Sequence, residues 1–160
     1  MWESCRRQPV ILPWQGGAVE QFGLSRDGVV AGEYWRIFSN HFVHVSWLHL
    51  ALNLTALVFL VVLFAAELRP SAWLWLGPLL LVLLTAALLT LAPPRIYIGL
   101  SGLLHALFAA CACLAWRRDR VLAGSVLVLL IGKVVVEQVR GPAADMELLI
   151  GSSIAIEANL

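Results

Sequence analysis

Ser101 stands between two glycines in Gly99-Leu100-Ser101-Gly102-Leu103-Leu104-His105, where a strongly apolar run begins. A hydroxyl at the head of a helix, with open backbone on both sides, suits a nucleophile that a peptide must reach. Glycine and serine also recur in membrane helices for packing alone, so the motif gains weight only beside a second group. That group is His41, His44, His49 and Asn53. His49 and Asn53 are four residues apart and share a helix face. An amide deep in an apolar helix is costly unless hydrogen-bonded, and such side chains face a bundle's interior. In one reading Asn53 donates to a developing oxyanion while His49 braces the same cavity; in the other the two form a polar clamp between helices. A metal site is a third reading of the three histidines within nine residues. No Asp, Glu or Cys nearby completes it and the spacing is not HExxH, so we expect no metal.

These groups need elements to hold them, and composition says which kind. Of 160 residues, 61% are apolar and 13% charged, with a mean hydropathy of +0.86. A soluble domain carries about a quarter charged residues. The expectation is an all-α, polytopic transmembrane helical bundle, with membrane lipid as its first partner. Spans are expected over residues 47–66, 72–91, 99–116 and 121–139. A fifth opens near Glu147 and reaches only about a dozen residues by Leu160, where a span needs roughly 20. Residues 1–46 contain no clear span; Pro9-Val10-Ile11-Leu12-Pro13-Trp14 and the aromatic, charged run Ala31 to Phe38 read as interfacial. No signal peptide is visible.

The loop Arg117-Arg118-Asp119-Arg120 carries three arginines and is placed in the cytoplasm. Alternation then puts Ser101 and the segment before Trp47 together on the opposite side. A net charge of +1 points to no nucleic-acid partner. Cys5, Cys111 and Cys113 read as small apolar packers rather than a disulfide framework. Lys133 and Glu137, at i and i+4 in the fourth span, read as an ion pair facing protein. A proton-relay reading finds no further ionisable groups to continue it, and Glu157, a cavity-lining candidate near the incipient last helix, is left unassigned.

Trp35-Arg36, His44, His49-x-x-x-Asn53 and Gly99-x-Ser101-Gly102 together resemble the rhomboid intramembrane serine proteases. The chain is most similar to the rhombosortase subgroup, through Gly32-Glu33-Tyr34-Trp35-Arg36 and Tyr97-Ile98-Gly99-Leu100-Ser101-Gly102-Leu103-Leu104-His105. Gly132-Lys133 with Glu137-Gln138, and the run Ile154-Ala155-Ile156-Glu157-Ala158, are similar too. The resemblance implies a helical bundle of the bacterial inner membrane with a water-filled cavity open to the periplasm. It implies a Ser-His dyad that needs no cofactor, acting on peptide bonds in or near a transmembrane segment. For rhombosortases it implies protein substrates with a C-terminal Gly-Gly sorting tail. Ser101 would be the nucleophile, with Asn53, His49 and the Ser101 N–H as the oxyanion site. His44, His105, Gly99 and Gly102 would line the cavity, and Gly102 and Ala106 would let the last helix approach. Residues 1–30 would be an N-terminal interfacial segment and 31–160 a rhomboid-like domain, apparently missing the first helix and part of the last.

One position departs from the pattern. The family's general-base histidine falls in a run like Glu-Ala-His-Leu, whereas this chain reads Glu157-Ala158-Asn159-Leu160. Gly151, Ala155 and Asn159 form a small-residue stripe matching Gly102, Ala106 and Ala110, which turns position 159 toward the serine helix. An asparagine amide neither takes a proton from a serine near neutral pH nor returns one to a leaving amine. Losing the histidine of such a pair costs on the order of a millionfold in kcat. His105, one turn along Ser101's own helix, aims away from the hydroxyl. The chain is therefore expected to be a protease by descent and inactive as it stands, through an engineered knockout, a natural pseudoprotease or a damaged reading frame. The alternative is a non-catalytic rhomboid-like scaffold that binds transmembrane segments. A small transporter would want matching broken helices, and none is evident.

Overall fold

The computed structural model describes residues 15–44, 46–66, 70–91 and 96–140. Three short helices come first: α1 (Gln15–Phe22), α2 (Arg26–Val30) and α3 (Arg36–Ser39), the last running into a 3-10 turn at Asn40–Phe42. Four long ones follow: α4 (Trp47–Phe64), α5 (Pro70–Leu91), α6 (Ser101–Ala115) and α7 (Arg120–Arg140). Among the described residues the only β pairing is an isolated antiparallel bridge between Leu24 and Tyr97. The chain is thus a helical bundle, with a helix over each of the four expected segments and ends shifted by a residue or two. The expected fifth span, Asn159 with it, and the Pro9–Trp14 segment lie outside the described residues.

Local chemistry sets the helix ends. Ser46 sits in extended backbone and its hydroxyl accepts the His49 N–H at 3.1 Å, an N-cap for α4. Pro70 opens α5, where a missing N–H costs nothing. Asp119 caps α7 by accepting the Leu122 N–H at 2.9 Å. Inside the spans, Thr55 and Thr90 donate to the carbonyls of Ala51 and Ala86 at 2.8 and 2.7 Å. Lipid therefore meets no unpaired hydroxyl at either position.

α4 and α5 are long and apolar enough to cross a membrane, and α6 is a shorter apolar helix. α6 packs against α4, α5 and α7. It supplies most of the core: Leu103, Leu104, Leu107, Cys111, Ala112 and Ala115 meet Leu60 and Phe64 of α4 and Ala123 of α7. Small side chains at 112, 115 and 123 let backbones approach closely, which is how helices associate where lipid removes the hydrophobic drive. Cys111 is buried there and Cys113 is exposed. Arg118, in the turn after α6, donates to the Ala66 carbonyl just past the end of α4 at 3.4 Å. By helical rise alone α6 is about 22 Å long and α5 about 33 Å.

The Lys133–Glu137 ion pair forms, but its side chains stay 51% and 40% exposed. The described helices do not enclose it, unlike the protein-facing pair expected. Phe64 is fully buried and Phe59 is 58% exposed, both on α4. Phe64→Ala should lower thermal stability in detergent by on the order of 2 kcal/mol, the cavity part of the loss. Phe59→Ala should leave the melt nearly unchanged.

Candidate active site

The residues ahead of the first span fold around one arginine. Arg36 donates through Nε to Glu33 at 2.5 Å, and through Nη1 to the carbonyls of Glu20 and Gly23 at 2.6 and 2.7 Å. Trp35 Nε1 donates to the Gln21 carbonyl at 3.3 Å, and Ser39 Oγ to the Phe22 carbonyl at 2.8 Å. The planar fork of a guanidinium suits this task, because it satisfies several acceptors at once while nearly buried. The Trp35-Arg36 pair therefore ties the end of α1 to α3.

That folded stretch grips the segment leading into Ser101. Leu24 and Tyr97 exchange both backbone hydrogen bonds, at 2.9 and 2.8 Å, and the Gly99 N–H donates to the Asn40 carbonyl at 2.8 Å. His41 Nδ1 lies 3.4 Å from the Gly99 carbonyl. Asn40 is fully buried and its amide donates back to the carbonyls of Arg36 and Ile37. Gly99 has φ of 98°, a conformation that side chains rarely adopt, and a Cβ there would come within 3.0 Å of His49 Cε1. The glycine is thus needed for the turn and for the imidazole that rests on it.

Of the expected site residues, His49 and His44 meet edge to face with ring centroids 5.0 Å apart. His44 Nδ1 lies 3.1 Å from the Phe42 carbonyl. Asn53 is buried one turn below His49, and neither its Nδ2 nor His49 Nδ1 has a partner among the described residues. A buried amide donor without a partner costs about 1–3 kcal/mol, so such groups call for an occupant or a task. His105 Nδ1 lies 2.6 Å from the Ser101 carbonyl, so that nitrogen is turned to Ser101's backbone. Asn159 lies outside the described residues. No group of three or more metal-ligating side chains comes together among the described residues.

Two participants were not legible beforehand. Asn40 acts mainly through its backbone. Tyr97 carries a hydroxyl that accepts the Gly102 N–H at 3.1 Å. Its oxygen also fills the space where a side chain at Gly102 would stand. The last helix, which was expected to approach Gly102, lies outside the described residues.

With this geometry in place, comparison with protein families decides the descent. The rhomboid domain matches residues 31–160. The chain belongs to the rhomboid family. Rhomboids are membrane-embedded, are generally serine intramembrane proteases, and act on membrane-protein substrates in lipid. The match begins within the aromatic, charged run ahead of α3 and takes in α3 to α7. No curated protein and no solved structure matches the chain.

Two measurements check the scaffold. Arg36→Ala leaves two carbonyls and a carboxylate without their cation and should cost about 3 kcal/mol of stability, with Arg36→Lys recovering only part. Burial holds His41 below its ordinary value of 6.5, partly offset by its bond to the Gly99 carbonyl. The native chain then binds fewer protons than the unfolded one in mild acid. Stability from His41 is full above about pH 6.5 and is lost as pH falls through the lower folded value. The detergent melt should drop on that descent, and His41→Gln should flatten the dependence.

Proposed function

We propose that this rhomboid is a serine endopeptidase of the rhombosortase type, with Ser101 as nucleophile and position 159 as the place of its general base. The observation that carries the reading is the Gly99 turn, which brings the His49 imidazole against the backbone leading into Ser101. Ser101 Oγ would attack a substrate carbonyl as a histidine at 159 takes its proton. The tetrahedral oxyanion would receive hydrogen bonds from the Ser101 N–H, the unpartnered Asn53 amide and His49. The same histidine would return the proton to the leaving amine, and water would release the acyl-enzyme. The Ser101 N–H is available because the first N–H groups of a helix have no partner within it.

The substrates in this reading are membrane-anchored proteins with a C-terminal Gly-Gly sorting tail. The domain would lie in a bacterial inner membrane with Ser101 open to the periplasm. In the proposed division, residues 1–30 form an interfacial segment and 31–160 the membrane domain. Leu24's bridge to Tyr97 gives the first part a role in the second. With asparagine at 159 the chain would bind such tails without cutting them. That residue is also what favours the second reading, a scaffold that captures transmembrane segments.

Labelling of Ser101 by a fluorophosphonate in detergent separates these. Asn159→His should label, the chain with Asn159 should label at least about a thousandfold more slowly, and Ser101→Ala should be blank. Equal rates with Asn159 and Asn159→His would assign the base elsewhere. No labelling in either would reject the protease reading.

A further inference from the structure

Two glycines stand on opposite sides of the segment that leads into Ser101. Gly23, buried just past the end of α1, is one of them. A Cβ there would come within 2.5 Å of Ile96 Cγ2 and 3.1 Å of Ile98 Cγ2. Gly102, in the first turn of α6, is the other. A Cβ there would fall onto the Tyr97 hydroxyl and within 3.2 Å of Leu84 Cδ2. Side chains alternate along an extended chain, so Ile96 and Ile98 share one face and Tyr97 takes the opposite one. Residues 96–98 therefore fill the gap between the end of α1 and the head of α6, meeting bare backbone on each side.

Backbone hydrogen bonds hold that filling in register. Leu24, next to Gly23, is fully buried and exchanges both of its bonds with Tyr97. The first N–H groups of a helix have no partner within it. Leu100, the N-cap residue of α6, offers no side chain, and the Tyr97 hydroxyl accepts the Gly102 N–H at 3.1 Å instead. A continuous path of contacts thus runs from the end of α1 to the residue after Ser101. Close-packed contacts pass a displacement on rather than absorb it. We propose that Gly23 is a positioning residue for Ser101. Having no side chain, it sets how deeply residues 96–98 seat against α1 and, through Tyr97, where the head of α6 stands. Gly23 lies ahead of residue 31, where the rhomboid match begins. Part of the device that places the nucleophile therefore lies outside the matched domain.

The proposal rests on Ser101 being the nucleophile, but its first readout needs no base at 159. In the full chain in detergent, with glycines labelled by 15N, hydrogen exchange at the Gly102 amide reports its bond to Tyr97. Gly23→Ala should speed that exchange by about fivefold, the worth of one such hydrogen bond. The Gly124 and Gly132 amides in α7 should keep their rates. Adding Ile96→Ala removes the methyl group that the new Cβ meets and should restore slow exchange at Gly102. An alanine that only frayed α1, through its approach to the Val19 carbonyl at 2.5 Å, would leave Gly102 unmoved. Unchanged exchange at Gly102 overturns the proposal, and so does a change that Ile96→Ala fails to reverse. If Gly23→Ala does not fold, Ile98→Ala loosens the same contact from the other side. It should speed the same amide, and no change again overturns the proposal. The second readout is the maximal rate of fluorophosphonate labelling in the Asn159→His background. Gly23→Ala should lower it by on the order of tenfold, with affinity for the probe unchanged and Ile96→Ala again restoring it. Faster exchange at Gly102 with labelling unchanged would overturn the positioning role. If Asn159→His does not label at all, the protease reading falls, and exchange at Gly102 still decides whether Gly23 places the head of α6.

Discussion

A single bent peptide segment decides where the head of α6 stands. Gly99 adopts a φ that a side chain would strain, and its N–H is taken by the Asn40 carbonyl. Two residues earlier Tyr97 pairs with Leu24, and two residues later the helix begins at Ser101. Each bond is modest on its own, at about 1 kcal/mol net. Together they fix a loop that would otherwise be free to swing, because the core contacts of α6 start only at Leu103. The membrane helices supply a rigid post, and the short N-terminal helices supply the hand that turns its top.

The cost of that arrangement falls on Arg36. A guanidinium nearly removed from water has to be surrounded by acceptors, and it finds them in Glu33 and the carbonyls closing α1. The same ion therefore organises a stretch that has no apolar core of its own. Its neighbours Tyr34, Trp35, Phe38 and Phe42 remain half or more exposed. Such aromatic side chains are at ease where water meets lipid. Polar bonding inside and aromatic surface outside let a few turns of helix hold shape at the edge of a bundle.

The long helices were legible in the sequence because runs of apolar residues of spanning length have few other uses. The contact of His49 with Gly99 was not readable from either residue's type; only the family resemblance assigned both to one cavity. The small helices before the first span were not legible. α1 and α2 have no long apolar periodicity, and what shapes them is a set of carbonyls whose partner, Arg36, arrives many residues later. The Trp35-Arg36 pair was noticed as a motif without its purpose being readable. Tyr97 escaped for a related reason. Its hydroxyl binds a backbone amide at the head of the next helix, and backbone donors carry no letter in a sequence.

The bridge between Leu24 and Tyr97 also has a history in time. Leu24 leaves the ribosome about 70 residues ahead of its partner, a wait of roughly 4–14 s at ordinary rates of synthesis. During that interval α4 and α5 can enter the membrane, while the carbonyl and amide of Leu24 have only water to bond. Arg36 and the carbonyls closing α1 that it binds are all synthesised before that interval ends, so the ties among the N-terminal helices need nothing that comes later. The bridge to Leu24 and the Asn40–Gly99 bond are the contacts that have to wait for the serine loop.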